Sequence, residues 1–211
     1  MNNENFKRIF YKNSKTFSLA SKFFDERWFI NISKLYYVCR CIDDIADNVK
    51  ETINSEQELT QLQIDFDKNN IDNDIVSIFY SIENKVSKKH ILKLIDGVKS
   101  DINFTPYETT DQLLNYCHKV AGVVGIMFCE ILGIDDNNAL IKANDLGIAM
   151  QLTNIMRDIF EDANMGRVYL PHELFGRINP YDINIQNKDV VDNIYSEKIN
   201  QIYNIAETKY L

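Results

Sequence analysis

Asp43 and Asp47 stand four residues apart in CIDDIADN, and Asn154, Asp158 and Asp162 follow at intervals of four in LTNIMRDIFED. At about 100° per residue, side chains at i, i+4 and i+8 line up along one stripe of an α-helix. Toward the N-terminus the first stripe takes in Arg40, Tyr36 and, further back, Phe29, and the second takes in Gln151 and Gly147. An apolar face borders each stripe: Leu35, Cys39, Ile42, Ala46 and Val49 beside the first, and Ile148, Leu152, Ile155 and Ile159 beside the second. Arg157 and Glu161 stand at the second stripe's other flank. Acids stacked against apolar lining repel each other when bare. A hard divalent cation with oxygen preference, Mg²⁺ above all, removes that repulsion and brings phosphate with it. One acidic pair at this spacing is common on solvated helix faces. Two stripes, each beside an apolar face and one beside arginine, are harder to assign to solvation alone.

The stripes need helices, and the composition supplies them. Seven Gly and three Pro in 211 residues is fewer than one in twenty, against an average near 12%. Sandwiches, barrels and propellers use such residues in many tight turns, so this chain reads as all-α. The pattern predicts helices over about Asn3–Tyr11, Glu26–Asn48 with Asp25 as N-cap, Ser55–Asp67 opened by a Ser55/Glu58 capping box, and Asn73–Val86. It continues with Lys88–Ser100 (Ser87 as cap), Thr110–Leu132, Asn137–Asn164 ending before Gly166, a short helix opened by Pro171, and Lys188–Tyr210. No repeat or linker interrupts the series, so the chain reads as one domain over 1–211.

Other features exclude function classes. A net charge of -8 has the wrong sign for a generic nucleic-acid binder or for adhesion to an anionic membrane. Cys39, Cys41, Cys117 and Cys129 form neither CxxC nor a zinc spacing, which fits reduced thiols in a cytoplasmic protein. The N-terminal MNNENFKRIFYKN has no apolar run of a signal peptide. The apolar stretch from Val120 to Ile134 falls short of the ~20 residues of a membrane span and predicts a buried helix.

Four segments carry a resemblance. NSKTFSLA (13–20), YYVCRCIDDIADN (36–48), YCHKVAGVVG (116–125) and QLTNIMRDIFEDANMGRVYLP (151–171) are similar in order and spacing to the squalene/phytoene synthases. The resemblance implies an isoprenoid synthase helical bundle around a deep apolar cavity, in which two prenyl diphosphates condense head to head. By position it implies Asp43, Asp47, Asn154, Asp158 and Asp162 as Mg²⁺ ligands bridging to diphosphate. Asn13, Ser14, Lys15, Thr16, Tyr36, Arg40, Gln151 and Arg157 match substrate contacts, with Arg167 and Tyr169 as weaker matches. Tyr36, Arg40 and Tyr116 are the catalytic candidates, and Phe17, Tyr36 and Tyr116 offer aromatic faces to a carbocation. Read without the resemblance, Tyr116 and Phe17 are core aromatics, His118 is an ordinary helix histidine, and Asp44 points off the stripe as a local hydrogen-bond acceptor. The small residues of VAGVVG either leave room for prenyl tails or allow close helix packing.

The resemblance leans toward phytoene synthase acting on two geranylgeranyl diphosphates in carotenoid biosynthesis. Squalene or dehydrosqualene synthase acting on farnesyl diphosphate is the alternative, and NADPH is implied only in the squalene-forming branch. A different class is an inactive member serving as an assembly or interaction protein; a terpene cyclase or head-to-tail prenyltransferase fits the motif wording worst. Release of a hydrocarbon product implies a peripheral membrane contact for a cytoplasmic enzyme. NIAETKYL looks like the middle of a further family helix, so the resemblance implies that C-terminal helices are missing.

Overall fold

The structure is a computed structural model that describes residues 2–13, 24–47, 52–83, 86–183 and 188–211. Among these residues there are helices and turns but no strand, so the chain is all-α. In chain order the helices are α1 Asn3–Asn13, α2 Glu26–Ala46, α3 Thr52–Lys68, α4 Asp74–Tyr80, α5 Lys88–Ile102 and α6 Thr110–Cys117. A π-turn over His118–Gly122 follows, then α7 Val123–Ile131, α8 Asn137–Arg157, α9 Ile159–Asn164, α10 His172–Phe175, a 3₁₀ turn at Pro180–Asp182, and α11 Lys188–Tyr210. No helix among the described residues is long and apolar enough to cross a membrane. They form two compact units: Met1–Ile102 with Met127–Asp136, and Asn103–Ile126 with Asn137–Leu211.

In the first unit α2 is the axis, and α1, α3, α4 and α5 all pack on it. Asp25 caps α2 as expected, its side chain accepting from the Arg27 N–H. Phe6 and Phe10, one turn apart on α1, dock by aromatic edges: Phe6 on Tyr37 at 5.3 Å, and Phe10 on Phe29 at 5.4 Å and Tyr36 at 5.1 Å. Leu35, Ile42 and Ala46 are buried as the spacing predicts, whereas Cys39 is only half-buried and Val38 is fully buried. With neighbours on several sides, α2 buries a wider arc than one apolar stripe. Val49 lies outside the described residues.

In the second unit α8 packs against α11, the π-turn and α6. The predicted face is buried throughout, with Ile148, Leu152 and Ile155 of α8 and Ile159 of α9 all in one core. Glycines set the spacing of the crossing. A Cβ on Gly147 would collide with the Ala121 carbonyl and come within 2.9 Å of Gly122 Cα. One on Gly125 would collide with the Ala143 carbonyl, its carbon only 2.8 Å away. Gly122 faces Asn144, whose Oδ1 meets His118 Nδ1 at 2.6 Å. At these positions the small residues serve close helix packing and leave no open room for a prenyl tail.

Several boundaries differ from those the sequence suggests. The helix expected to start at Ser55 begins at Thr52, leaving Ser55 buried inside it instead of capping it. The helix expected over Asn73–Val86 is Asp74–Tyr80, capped by Asn73 and stopped where the Ser81 hydroxyl donates to the Ile78 carbonyl. The Thr110–Leu132 helix contains the π-turn, which falls where Gly147 of α8 meets the Ala121 backbone. The Asn137–Asn164 helix is interrupted at Asp158, whose φ of -102° and ψ of 14° lie in the bridge region. Thr109 and Gln112 form a capping box that opens α6.

Helix propensity alone predicts that Gly125→Ala gains about 1 kcal/mol. The contact it meets is backbone on backbone, which no rotamer change relieves. We expect a net loss of roughly 1–2 kcal/mol and a lower Tm by thermal circular dichroism. A raised Tm would overturn the close crossing.

Candidate active site

The first acidic stripe occupies the last turn of α2. Asp43 is half-buried, while Asp47 is exposed at the C-cap with its N–H bonded to the Asp43 carbonyl at 3.0 Å. Burial pushes the Asp43 carboxyl up to about 7; Arg40 pulls it down, and Asp47, Asp101 and Asp44 add to the rise. Arg40 is tied to Asp44 at 2.6 Å, so Asp44 is a local acceptor one position off the stripe. Tyr36, half-buried one turn before Arg40, has its hydroxyl pKa raised by burial, with Arg40 opposing.

The second stripe runs from the end of α8 into α9. Asp158 leaves helical dihedrals, yet its N–H donates to the Asn154 carbonyl at 2.9 Å, and the Asp162 N–H donates to the Asp158 carbonyl at 2.9 Å. The i, i+4, i+8 register therefore survives the interruption. Asn154, Asp158 and Asp162 are all half-buried, and Asn154 Nδ2 reaches Gln151 Oε1 at 3.5 Å. Arg157 grips its neighbour Asp158 in a fork, Nε to Oδ1 at 2.7 Å and Nη2 to Oδ2 at 2.6 Å. That contact raises the Arg157 pKa. After α9 the chain turns at Gly166, with φ of +79°, and the Arg167 N–H returns to the Asp162 carbonyl at 2.8 Å.

Tyr116 on α6 is 5% exposed and stacks on Tyr169, with centroids 5.1 Å apart and planes 23° apart. Both belong to the core of the second unit, and the ring of Tyr169 covers one face of Tyr116. Asn13 closes α1, whereas Ser14, Lys15, Thr16 and Phe17 lie outside the described residues. Among the described residues no group of three or more His, Cys, Asp and Glu side chains is gathered to hold a metal ion.

Residues 11–197 match the squalene/phytoene synthase family. The chain belongs to that family. It is 38% identical over 171 residues to 15-cis-phytoene synthase of Enterobacter agglomerans, covering 75% of this chain and 58% of the relative. It is 31% identical over 189 residues to 4,4'-diapophytoene synthase of Staphylococcus haemolyticus, covering 83% of this chain and 63% of the relative. The chain thus spans about three-fifths of the length of these relatives. A crystal structure of a dehydrosqualene synthase in complex with ligand has the same helical fold, with a TM-score of 0.69 and 28% identity over 97% of this chain and 75% of that one.

Within this squalene/phytoene synthase chain, two features near the stripes escaped the sequence reading. Asp101, at the end of α5, adds negative potential at Asp43, and only the packing of α5 on α2 brings it there. Tyr107 joins the Tyr116–Tyr169 pair from a loop with no helical period to mark it. The Thr109/Gln112 box, by contrast, is written in the sequence as T-x-x-Q.

The Asp43 assignment has a pH signature. The folded, metal-free protein keeps this proton up to about pH 7, whereas the ordinary value is 3.8. Between those values the folded state binds more protons than the unfolded one, so this group's contribution to stability falls as pH rises. Asp43→Asn removes that slope. In a chelator, its Tm should exceed the wild type's by more at pH 8 than at pH 5 in differential scanning calorimetry; an equal difference at both pH values would contradict the burial of this charge.

Proposed function

We propose that this chain catalyses the Mg²⁺-dependent head-to-head condensation of two geranylgeranyl diphosphates to phytoene, through the cyclopropylcarbinyl intermediate prephytoene diphosphate. The observation that carries this reading is the family match extending over both acidic stripes, together with 38% identity to a 15-cis-phytoene synthase. Carboxylate and amide oxygens are the donors a hard divalent ion prefers. Asp43, whose carboxyl burial and acidic neighbours hold at about 7, is short of positive charge. The residues therefore fit the ion. Asp43 and Asp47, and Asn154, Asp158 and Asp162, would hold Mg²⁺, which supplies neutralising charge for the diphosphate leaving group.

The remaining work falls to side chains of this protein. Arg40 is tied to Asp44 beside the first stripe and Arg157 to Asp158 of the second, and each can turn its remaining N–H groups to diphosphate oxygens as negative charge grows in the transition state. Asn13, Ser14, Lys15, Thr16 and Gln151 hold the rest of the substrate head groups. Tyr36 and Tyr116 shelter the carbocation, a contact worth about 2 kcal/mol when water is excluded. A dry cavity is required because water would quench the cation. Loss of a proton then ends the reaction at phytoene.

A second reading is favoured by the 31% identity to 4,4'-diapophytoene synthase and by the likeness to a dehydrosqualene synthase structure. In it the same chemistry runs on farnesyl diphosphate to a C30 product, with NADPH supplying hydride only if the product is squalene. In either case the hydrocarbon product leaves through a peripheral membrane contact.

The purified protein, incubated with Mg²⁺ and labelled geranylgeranyl or farnesyl diphosphate, with and without NADPH, tests these readings. We expect C40 phytoene from the C20 substrate. A C30 product alone would favour the second reading, and no product from either would leave the interaction-protein reading standing. Asp47→Ala and Asp158→Ala should each lower turnover by about 100-fold or more with helical content intact. Wild-type turnover in both variants would overturn the metal assignment.

A further inference from the structure

Four aromatic rings gather in the core of the second unit, and two of them stand outside every motif of the sequence. Tyr107 is tilted against Tyr116 at 5.7 Å and 36°, and against Tyr169 at 6.3 Å and 33°. Phe104 presents edges to Tyr107 at 5.8 Å and to Tyr169 at 5.1 Å. Tyr107 thus backs the stacked Tyr116–Tyr169 pair from one side, and edge contacts with Phe104 fix its tilt. Offset and edge-on pairs of this kind have directional preferences that a greasy aliphatic contact lacks.

The loop carrying Tyr107 is itself clasped to the segment that carries Tyr169. The His172 N–H donates to the Tyr107 carbonyl at 2.9 Å, and the Glu173 N–H donates to the Glu108 carbonyl at 3.0 Å. His172 Nδ1 lies 3.2 Å from Glu108 Oε1. In the other direction, the Glu173 carboxylate accepts the backbone N–H of Thr110, the first residue of α6. Gln112 closes the same corner by accepting from the Glu108 N–H at 2.6 Å. Two stretches about sixty residues apart in sequence are therefore held in fixed register, with Tyr116 two turns into α6 on one side and Tyr169 three residues before His172 on the other.

We infer that Tyr107 is a positioning residue: with the Glu108–Thr110 and His172–Glu173 clasp, its ring holds Tyr116 and Tyr169 in the orientation that the condensation requires. This rests on the proposed function, in which Tyr116 faces the carbocation. The contribution assigned to Tyr107 is that of its ring, which packs against the rings of both Tyr116 and Tyr169. Tilting of Tyr116 by loss of its support is an ångström-scale displacement, of a kind that costs up to about 100-fold in rate without removing any of the proposed diphosphate contacts.

The test compares Tyr107→Ala, Tyr107→Phe and Glu173→Ala in the full chain with Mg²⁺ and the substrate that the wild type turns over. We expect Tyr107→Ala to lower kcat by about 10- to 100-fold with KM within about threefold, and Tyr107→Phe to restore kcat to within about threefold of wild type. Glu173→Ala, at an exposed position, should lower kcat severalfold without changing KM, and it keeps the proposal testable if Tyr107→Ala fails to fold. A wild-type kcat in Tyr107→Ala or in Glu173→Ala, or a Tyr107→Phe as damaged as Tyr107→Ala, overturns the inference. Near-ultraviolet circular dichroism reads the tyrosine packing independently of turnover. A wild type that makes no product overturns the proposed function; the bracing then stands if Tyr107→Ala weakens the tyrosine band, and falls if the band is unchanged.

Discussion

A carboxylate beside apolar lining loses water that it needs when charged, and the ends of α2 and α8 both place acids in that position. At Asp43 the imbalance is plain: burial and three neighbouring acids outweigh one arginine, and the carboxyl holds its proton up to about 7. The second stripe handles the same difficulty by another route, with Arg157 clamping Asp158 through two nitrogens. Neither arrangement is what stability alone would select. An apolar or amide side chain at Asp43 would cost less, so the acid stands against the preference of its surroundings. That is the physical argument behind the cation site proposed at the stripes.

Keeping such stripes in register demands rigid helices, and the chain obtains rigidity by close backbone approach. Gly147, one turn before Gln151, lies against Ala121, and Gly125 lies against Ala143. The π-turn lies in this same crossing, between Tyr116 and α7. The bridge-region dihedrals of Asp158 are a second local departure from ideal helix. Because the hydrogen bonds from Asp158 to Asn154 and from Asp162 to Asp158 persist, this departure changes the aim of one side chain without breaking the stripe.

Much of this was legible in the sequence because it is local. The scarcity of Gly and Pro, the four-residue acid spacing and the neighbouring apolar positions all report on single helices. The stripes, the Asp25 cap, the buried face from Ile148 to Ile159 and the last helix follow from them. What stayed hidden depends on tertiary contact. Nothing around Asp101 announces that α5 will deliver it toward Asp43, and nothing in FTPYE ties Tyr107 to Tyr169. The helices predicted as regular over Thr110–Leu132 and Asn137–Asn164 have the same origin, since apolar periodicity runs on through a π-turn or a single residue at bridge dihedrals. Ser55 misled for a different reason. Its capping pattern with Glu58 is real, but helix Thr52–Lys68 starts before it and buries the hydroxyl.

The glycines of VAGVVG show how one residue type can be read for opposite purposes. Small side chains empty a volume only when nothing else fills it. Here the α8 backbone fills it, so the missing Cβ atoms bring helices together and open no space. The consequence reaches the aromatic group, because α6 and the π-turn are pressed on α8 with Tyr116 among Ile148, Leu152 and Ile155. Tyr116 can then move little as a unit with its helix, and the rings of Tyr107 and Tyr169 pack on its own ring. Backbone packing fixes where the ring stands, and ring packing fixes how it is turned.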